Sequence, residues 1–412
     1  MAIVKPFRGL RPKPEFVIQV ASPPYDVLST EEAREMAKDN PLSFLHVVKP
    51  EIDLDPSKHI YDEEVYLKGA ENLQKLIRDR VMVQDSRPCF YIYRQKMGDH
   101  TQAGLVASAS IDDYSKGIIK KHEFTRPDKE NDRAKHIETL NANTGPVFLT
   151  YVSEPGVDVL IKEGMEREPV YDFTSDDGVT HTFYVIEDEE LIEKIEKTFA
   201  GVDFLYVADG HHRSAAGTRV GKERGRLNPH HTGEEEYNYF LSVIFPHKQM
   251  MIMDYNRAVK DLAGKGKEEF LKALEDSFLV SETDRPGPEA PRTYGMYIDG
   301  KWYRLAAGEG TYNAEDPVDS LDVSILQKNL LEKILLIKDP RTDKRIHFIG
   351  GIRGMAELER LVDSGAYQVA FALYPTSIKQ LMDVADSGSV MPPKSTWFEP
   401  KLRSGMVIHL LD

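Results

Sequence analysis

Val202-Asp-Phe-Leu-Tyr-Val-Ala-Asp-Gly-His-His-Arg-Ser-Ala-Ala-Gly-Thr218 lies near the middle of a chain of 412 residues. Its apolar run from Phe204 to Ala208 predicts a buried strand, Asp209-Gly210 a tight turn, and the residues from His211 onward the first turn of a helix. A helix that opens there leaves its first backbone N–H groups unpaired, with the positive end of its dipole beside them. Such a turn receives anions. With two histidines and an arginine in the same turn, phosphate is the simplest guest. Asp209 suits one of two tasks, capping the helix or holding a magnesium ion.

Other chemistries fit the stretch less well. Adjacent His211 and His212 point in different directions on a helix, and no His-x-x-x-His or Cys-x-x-Cys pair lies nearby, which argues against zinc. The Gly-x-Ser-x-Gly elbow, the Walker phosphate loop and the Gly-x-Gly-x-x-Gly loop are all absent. A single cysteine, Cys89, excludes an internal disulfide and fits a reducing compartment. The composition is 41% hydrophobic and 29% charged, with 53 Lys+Arg against 68 Asp+Glu and a formal charge of −15. That field repels DNA and anionic membranes. No run predicts a membrane span or a signal peptide, so the cytoplasm is the expected location.

Working outward, the prolines at 6, 12, 14, 23 and 24 argue for an extended opening segment with one strand, Phe16 to Val20. Ser29 and Glu32 form a capping box for a helix reaching about Lys38, which leaves Asp26 in the loop just ahead of it. Phe44 to Val48 reads as a further strand leading into Lys49-Pro-Glu51. The segment from Lys120 to Arg133 has two readings, a solvated loop, or a group (Lys121, His122, Glu123, Arg126, Lys129, Arg133) delivered to a cleft. Downstream, Gly308 to Asp316 is apolar-poor and predicts a domain boundary, followed by a helix over 323–336 and alternating strands and helices. Met391 to Gly405 sets Lys394, Ser395, Thr396, Lys401 and Arg403 among prolines. It reads equally as a pre-organised binding loop and as a connector plugged by Trp397 and Phe398.

The stretch Ala208-Asp-Gly-His-His-Arg-Ser-Ala-Ala216 resembles the phosphate-binding turn of the ParB/sulfiredoxin superfamily, and especially of the free serine kinases within it. The resemblance implies that Asp209, Gly210, His211, His212, Arg213 and Ser214 grip a nucleotide. It also implies an acidic base near the N-terminus, which maps onto Asp26, with Glu51 as the alternative. Across nearly its whole length the chain also resembles a bacterial and archaeal family of unknown function, DUF1015, often labelled ParB-like. The signatures are Pro24-Tyr-Asp-Val27, Asp209-Gly-His-His-Arg213 and Met391-Pro-Pro-Lys-Ser-Thr-Trp-Phe-Glu-Pro-Lys401. In the kinases the acidic segment and the Asp-Gly-His turn are close in sequence, whereas here Asp26 and Asp209 are far apart.

The expected fold is mixed α/β (α+β), with a ParB/sulfiredoxin-like core over residues 1–310, a large insertion at about 55–200, and a C-terminal α/β portion over 311–412. The expected activity is a small-molecule phosphotransferase: a free serine kinase or another phosphoserine-metabolising enzyme using ATP or ADP and magnesium. Its catalytic groups would come from Asp26, Glu51, Lys121, His122, Glu123 and Arg126. Lys394, Ser395 and Thr396 would add nucleotide contacts, and Asp209 would hold the metal. Expected partners are serine or phosphoserine, the nucleotide and a second copy of the chain. Phosphoserine hydrolysis would use the same seat with water as acceptor. A nucleotide-responsive ParB-like DNA-binding protein would need a basic helix-turn-helix after the nucleotide fold, and the sequence has none.

Overall fold

Near-continuous apolar runs mark strands covered on both faces, and Val147–Tyr151 and Tyr239–Pro246 are buried at every position. In the computed structural model, which describes all 412 residues, both lie in a nine-stranded sheet. In chain order its strands are β1 (Val4–Lys5), β2 (Phe90–Met97), β3 (His100–Ser110), β4 (Ile119–Lys120), β5 (Val147–Tyr151), β6 (Tyr171–Thr174), β7 (Thr180–Ile186), β8 (Leu205–Asp209) and β9 (Tyr239–Pro246). They lie in the order β4-β8-β5-β9-β3-β2-β7-β6, with β1 alongside β3. The β4–β8 and β5–β9 pairs are parallel and the others antiparallel. The fold is mixed α/β. Residues 55–200, expected as an insertion, supply six of the nine strands and are integral to this sheet.

Three helices position the site. The first, α1 (Thr30–Ala37), begins at the predicted capping box: Ser29 Oγ accepts from Glu32 N, and the Glu32 carboxylate accepts from Ser29 N. The second, α2 (Pro127–Leu140), starts with proline in its first turn, where a missing N–H costs nothing. The third, α3 (His211–Leu227), follows β8 directly and lies close against its neighbours because its inner face is small. A Cβ on Gly221 would stand 2.1 Å from Tyr237 O, and one on Gly217 would stand 3.2 Å from Phe240 Cβ. Buried Ala216 and Val220 of α3 pack with Ala134 and Ile137 of α2.

The chain forms two compact units, Met1–Met250 with Pro400–Asp412, and Met251–Glu399. In the first, the C-terminal segment returns to the opening one: Ser22 and Ser404 exchange both backbone hydrogen bonds, as do Leu10 and Ile408, and His409–Leu410 pairs with Ala142–Asn143. The second is built on a six-stranded antiparallel sheet. Its strands are β10 (Tyr255–Val259), β11 (Phe278–Glu282), β12 (Thr293–Ile298), β13 (Lys301–Ala307), β14 (Ile346–Gly350) and β15 (Val369–Leu373), in the order β11-β13-β12-β15-β10-β14.

Several local expectations change. The predicted strands at 16–20 and 44–48 are short helical pieces, Val17–Val20 and Leu45–Val48. Runs of four or five apolar residues do not separate the two periods. Gly308 to Asp316, expected as a boundary, lies inside the second unit. The helix expected over 323–336 is Asp322–Leu326 continued by a π-helical stretch, Gln327–Glu332. No helix is long and apolar enough to cross a membrane.

Candidate functional site

The turn forms as its residues predict. β8 carries an irregularity in its ladder between Val207 and Asp209. Gly210 then adopts a positive φ of 96°, and α3 begins with no side-chain cap. Asp209 is therefore not the capping residue. Glycine is required at 210 twice over, by its left-handed backbone and by the guanidinium of Arg213, which folds back until its Nε would stand 3.1 Å from any Cβ there.

Arg213 is the hub. Its Nη1 donates to the carbonyl of Pro146. Its Nη2 stands 3.7 Å from the Asp26 carboxylate and 3.6 Å from Asp209, while its Nε is buried without a partner. Lys401 reaches Asp209 from the C-terminal segment at 3.8 Å. Burial pushes the Asp209 carboxyl up, but Lys401, Arg213 and His211 outweigh it and hold the group at about 2. Burial likewise works against the Arg213 charge, and Asp26 and Asp209 more than restore it. The turn thus stays ionised, with cations on either side of Asp209 and uncapped helix amides beside it. Next to it Arg133 pairs with Asp132 at 2.8 Å and lies over the Tyr25 ring at 4.1 Å. Tyr25, Arg133, His136, Thr144, Arg213 and Ser404 are among the residues lining a cavity of about 20 Å³, room for about one water.

Both histidines of the turn are bonded to the segment that precedes α2. The backbone N–H of Arg126 donates to His212 Nε2 at 3.1 Å, and that of His122 to His211 Nε2 at 3.5 Å. An accepting Nε2 puts the proton of a neutral ring on Nδ1. The two imidazoles are clamps holding the 122–126 segment against the start of α3. His122 and His211 are both buried, with rings edge to face at 4.4 Å, and Glu123 stands 4.0 Å from His211 Nδ1. His122 and His211 therefore form a supporting layer under the turn. Ser214, expected at the nucleotide, turns its hydroxyl back to the carbonyls of His211 and Gly210.

Of the basic cluster, Arg133 lines the cavity beside Arg213 and the 122–126 backbone lies against the turn, while other side chains are engaged elsewhere. Lys121 lies over the Tyr114 ring at 4.4 Å and Lys129 over Tyr61 at 5.4 Å, while the Arg126 guanidinium pairs with Asp128 at 2.8 Å. Glu51 is not the open carboxylate: Lys49 sits 3.1 Å from it and the Thr30 hydroxyl donates to it at 3.2 Å. Lys394, Ser395 and Thr396 belong to the second unit. There Arg257 donates to Lys394 O at 2.8 Å and Thr376 to Ser395 O at 2.9 Å. Lys401, one of the cations that the sequence sets in the proline-rich stretch, is found at the turn.

The chain belongs to the DUF1015 family. The family model, described as a protein of unknown function, matches residues 4–324. No functionally curated protein matches the chain. Among solved structures, the chain is similar to a free serine kinase in complex with AMP, at 14% identity and a TM-score of 0.36, over 72% of this chain and 86% of that one. It is similar to a conserved hypothetical protein from Pyrococcus furiosus at 13% identity and a TM-score of 0.35, over 72% and 90%. The third likeness is to C-terminally truncated SbnI from Staphylococcus aureus, at 12% identity and a TM-score of 0.37, over 73% and 85%.

The buried histidines make the first unit acid-sensitive. Burial pushes His122 down to about 4 and His136 and His181 to about 3, against about 6.5 in an unfolded chain. Their contribution is complete above pH 6.5 and is lost as pH falls toward those values, because only the unfolded chain takes up the protons. His46, raised by its bond to Asp53 despite partial burial, works in the opposite direction, but it is one group against three. The three together predict a loss of about 4 kcal/mol per pH unit between roughly pH 6 and 4. Thermal unfolding followed by circular dichroism should show the melting temperature falling steeply below pH 6.5. A flat profile to pH 4.5 would mean that these rings are not held neutral.

Proposed function

We propose that the protein is a nucleotide-dependent phosphotransferase acting on a small hydroxyl compound, with free serine as the first candidate. The observation that carries this reading is the guanidinium of Arg213 set between the carboxylates of Asp26 and Asp209, at the uncapped start of α3. The amides of that first turn and the Arg213 and Lys401 charges are suited to the phosphates. Asp26, the more exposed of the two carboxylates beside Arg213, is suited to take the proton of the attacking hydroxyl. Phosphoryl transfer asks a protein mainly for positioning and for cations placed where charge collects, and this turn offers both.

Magnesium fits only in one form. No three metal-ligating side chains stand together, so the chain does not enclose an ion by itself. Asp209 and Asp26 are hard oxygen donors, which suit an ion arriving on the nucleotide phosphates. Bound there, it would neutralise charge on the transferring group.

The test is incubation of the purified protein with ATP or ADP, magnesium and serine, with phosphoserine followed by mass spectrometry. Formation of phosphoserine supports the reading. No product with either nucleotide, together with no reverse reaction from phosphoserine, would sink the serine version.

A further inference from the structure

Phe124 is 73% exposed. Single exposed apolar residues are ordinary on protein surfaces, so exposure alone says nothing. What distinguishes Phe124 is how its segment is held. The backbone N–H groups of His122 and Arg126, two residues to either side, are bonded to the Nε2 atoms of His211 and His212. A third tie, from Thr125 Oγ1 to the Glu130 carboxylate at 2.7 Å, fixes the far side of the segment to α2. With Cα atoms 3.8 Å apart along the chain, Phe124 Cα lies within about 7.6 Å of both anchored positions. The backbone of Phe124 is thereby held near the first turn of α3, while its ring is left to solvent.

We infer that Phe124 is a stacking platform for the nucleobase of the bound nucleotide. The inference rests on the nucleotide reading above and adds the element that the phosphate seat lacks, an apolar surface for the base. The two histidines of the turn then have a reason to be consecutive. Successive rings at the start of a helix diverge, so they can hold the two ends of one short segment and present what lies between. An anchored platform needs little ordering when the ligand arrives. Stacking alone does not choose between bases, since each has a π-face, so adenine and guanine nucleotides should bind within a few-fold of each other. The hydrogen-bonding groups around the turn belong to the phosphates.

The test compares ADP with inorganic tripolyphosphate, which has charge but no base, by titration calorimetry on the wild type, Phe124→Ala and Phe124→Trp. Because the side chain is exposed, both variants should fold, which circular dichroism will check. Removal of a base–aromatic stack is expected to weaken ADP binding about 10-fold or more and to leave tripolyphosphate binding unchanged. Phe124→Trp should keep ADP affinity, with its indole emission altered by ADP and not by tripolyphosphate. ADP affinity unchanged in Phe124→Ala overturns the platform and leaves the phosphate seat standing; Phe124 would then belong to a surface for another protein. A wild type that binds neither overturns the nucleotide reading and the platform together.

Discussion

Arg213→Ala is expected to lower the stability of the first unit by about 3 kcal/mol and to weaken nucleotide binding about 100-fold or more. The guanidinium is the one group that touches every part of the turn: the Pro146 carbonyl, Asp26, Asp209 and the face of Gly210. Removing it leaves two carboxylates without the cation between them and one buried carbonyl without its donor. Lys401 remains to offset Asp209, so that carboxyl should rise from about 2 toward its unfolded value, and the part of the acid dependence that Asp209 supplies between about pH 5 and 2 should shrink, because folded and unfolded chains then bind its proton more nearly alike. Arg213→Lys keeps a charge but not the planar fork that serves Pro146 and the carboxylates at once. It should recover part of the stability and little of the affinity. Thermal unfolding and ADP titration of the two variants give both readouts, and wild-type ADP affinity in Arg213→Ala would remove the turn from the site.

That prediction also marks what was legible in the sequence. Strand, glycine turn and helix start follow from residues 204–213 alone, because a buried run, an obligatory left-handed glycine and a following helix are all local. The Ser29–Glu32 capping box was equally local. The roles of the histidines were not: whether an imidazole faces a ligand or a backbone amide depends on a segment some 90 residues upstream. The placement of the cluster's lysines was not legible for a related reason. Lysines are read from sequence as charge, but Lys121 and Lys129 are placed by the aromatic rings they cover, Tyr114 and Tyr61. Lys401 reaches Asp209 only because the C-terminal segment is stitched to Ser22 and Leu10, pairings that no periodicity announces. The strands expected as an insertion have the same apolar patterns as the rest of the sheet, and only their pairing shows that they belong to it.

The two candidate bases give the sharpest experiment. Asp26→Asn is expected to lower kcat by a factor of about 10²–10⁴, because the amide keeps the shape of the carboxylate and cannot accept a proton. Glu51→Gln should stay within a few-fold of wild type, since Glu51 is occupied with Lys49 and the Thr30 hydroxyl at the start of α1. The nucleotide affinity of Asp26→Asn separates a chemical role from damage to the seat. Asp26 places a negative charge 3.7 Å from Arg213, beside the position proposed for the phosphates. Neutralising it removes a repulsion, while Asp209 still orients the guanidinium. Nucleotide should therefore bind as tightly as before or more tightly while turnover collapses, the pattern of a group needed in the transition state and not for ground-state binding. A parallel fall in affinity and kcat would instead make Asp26 a positioning residue for Arg213. A loss of kcat confined to Glu51→Gln would move the base to the start of α1 and leave Asp26 as a counter-ion.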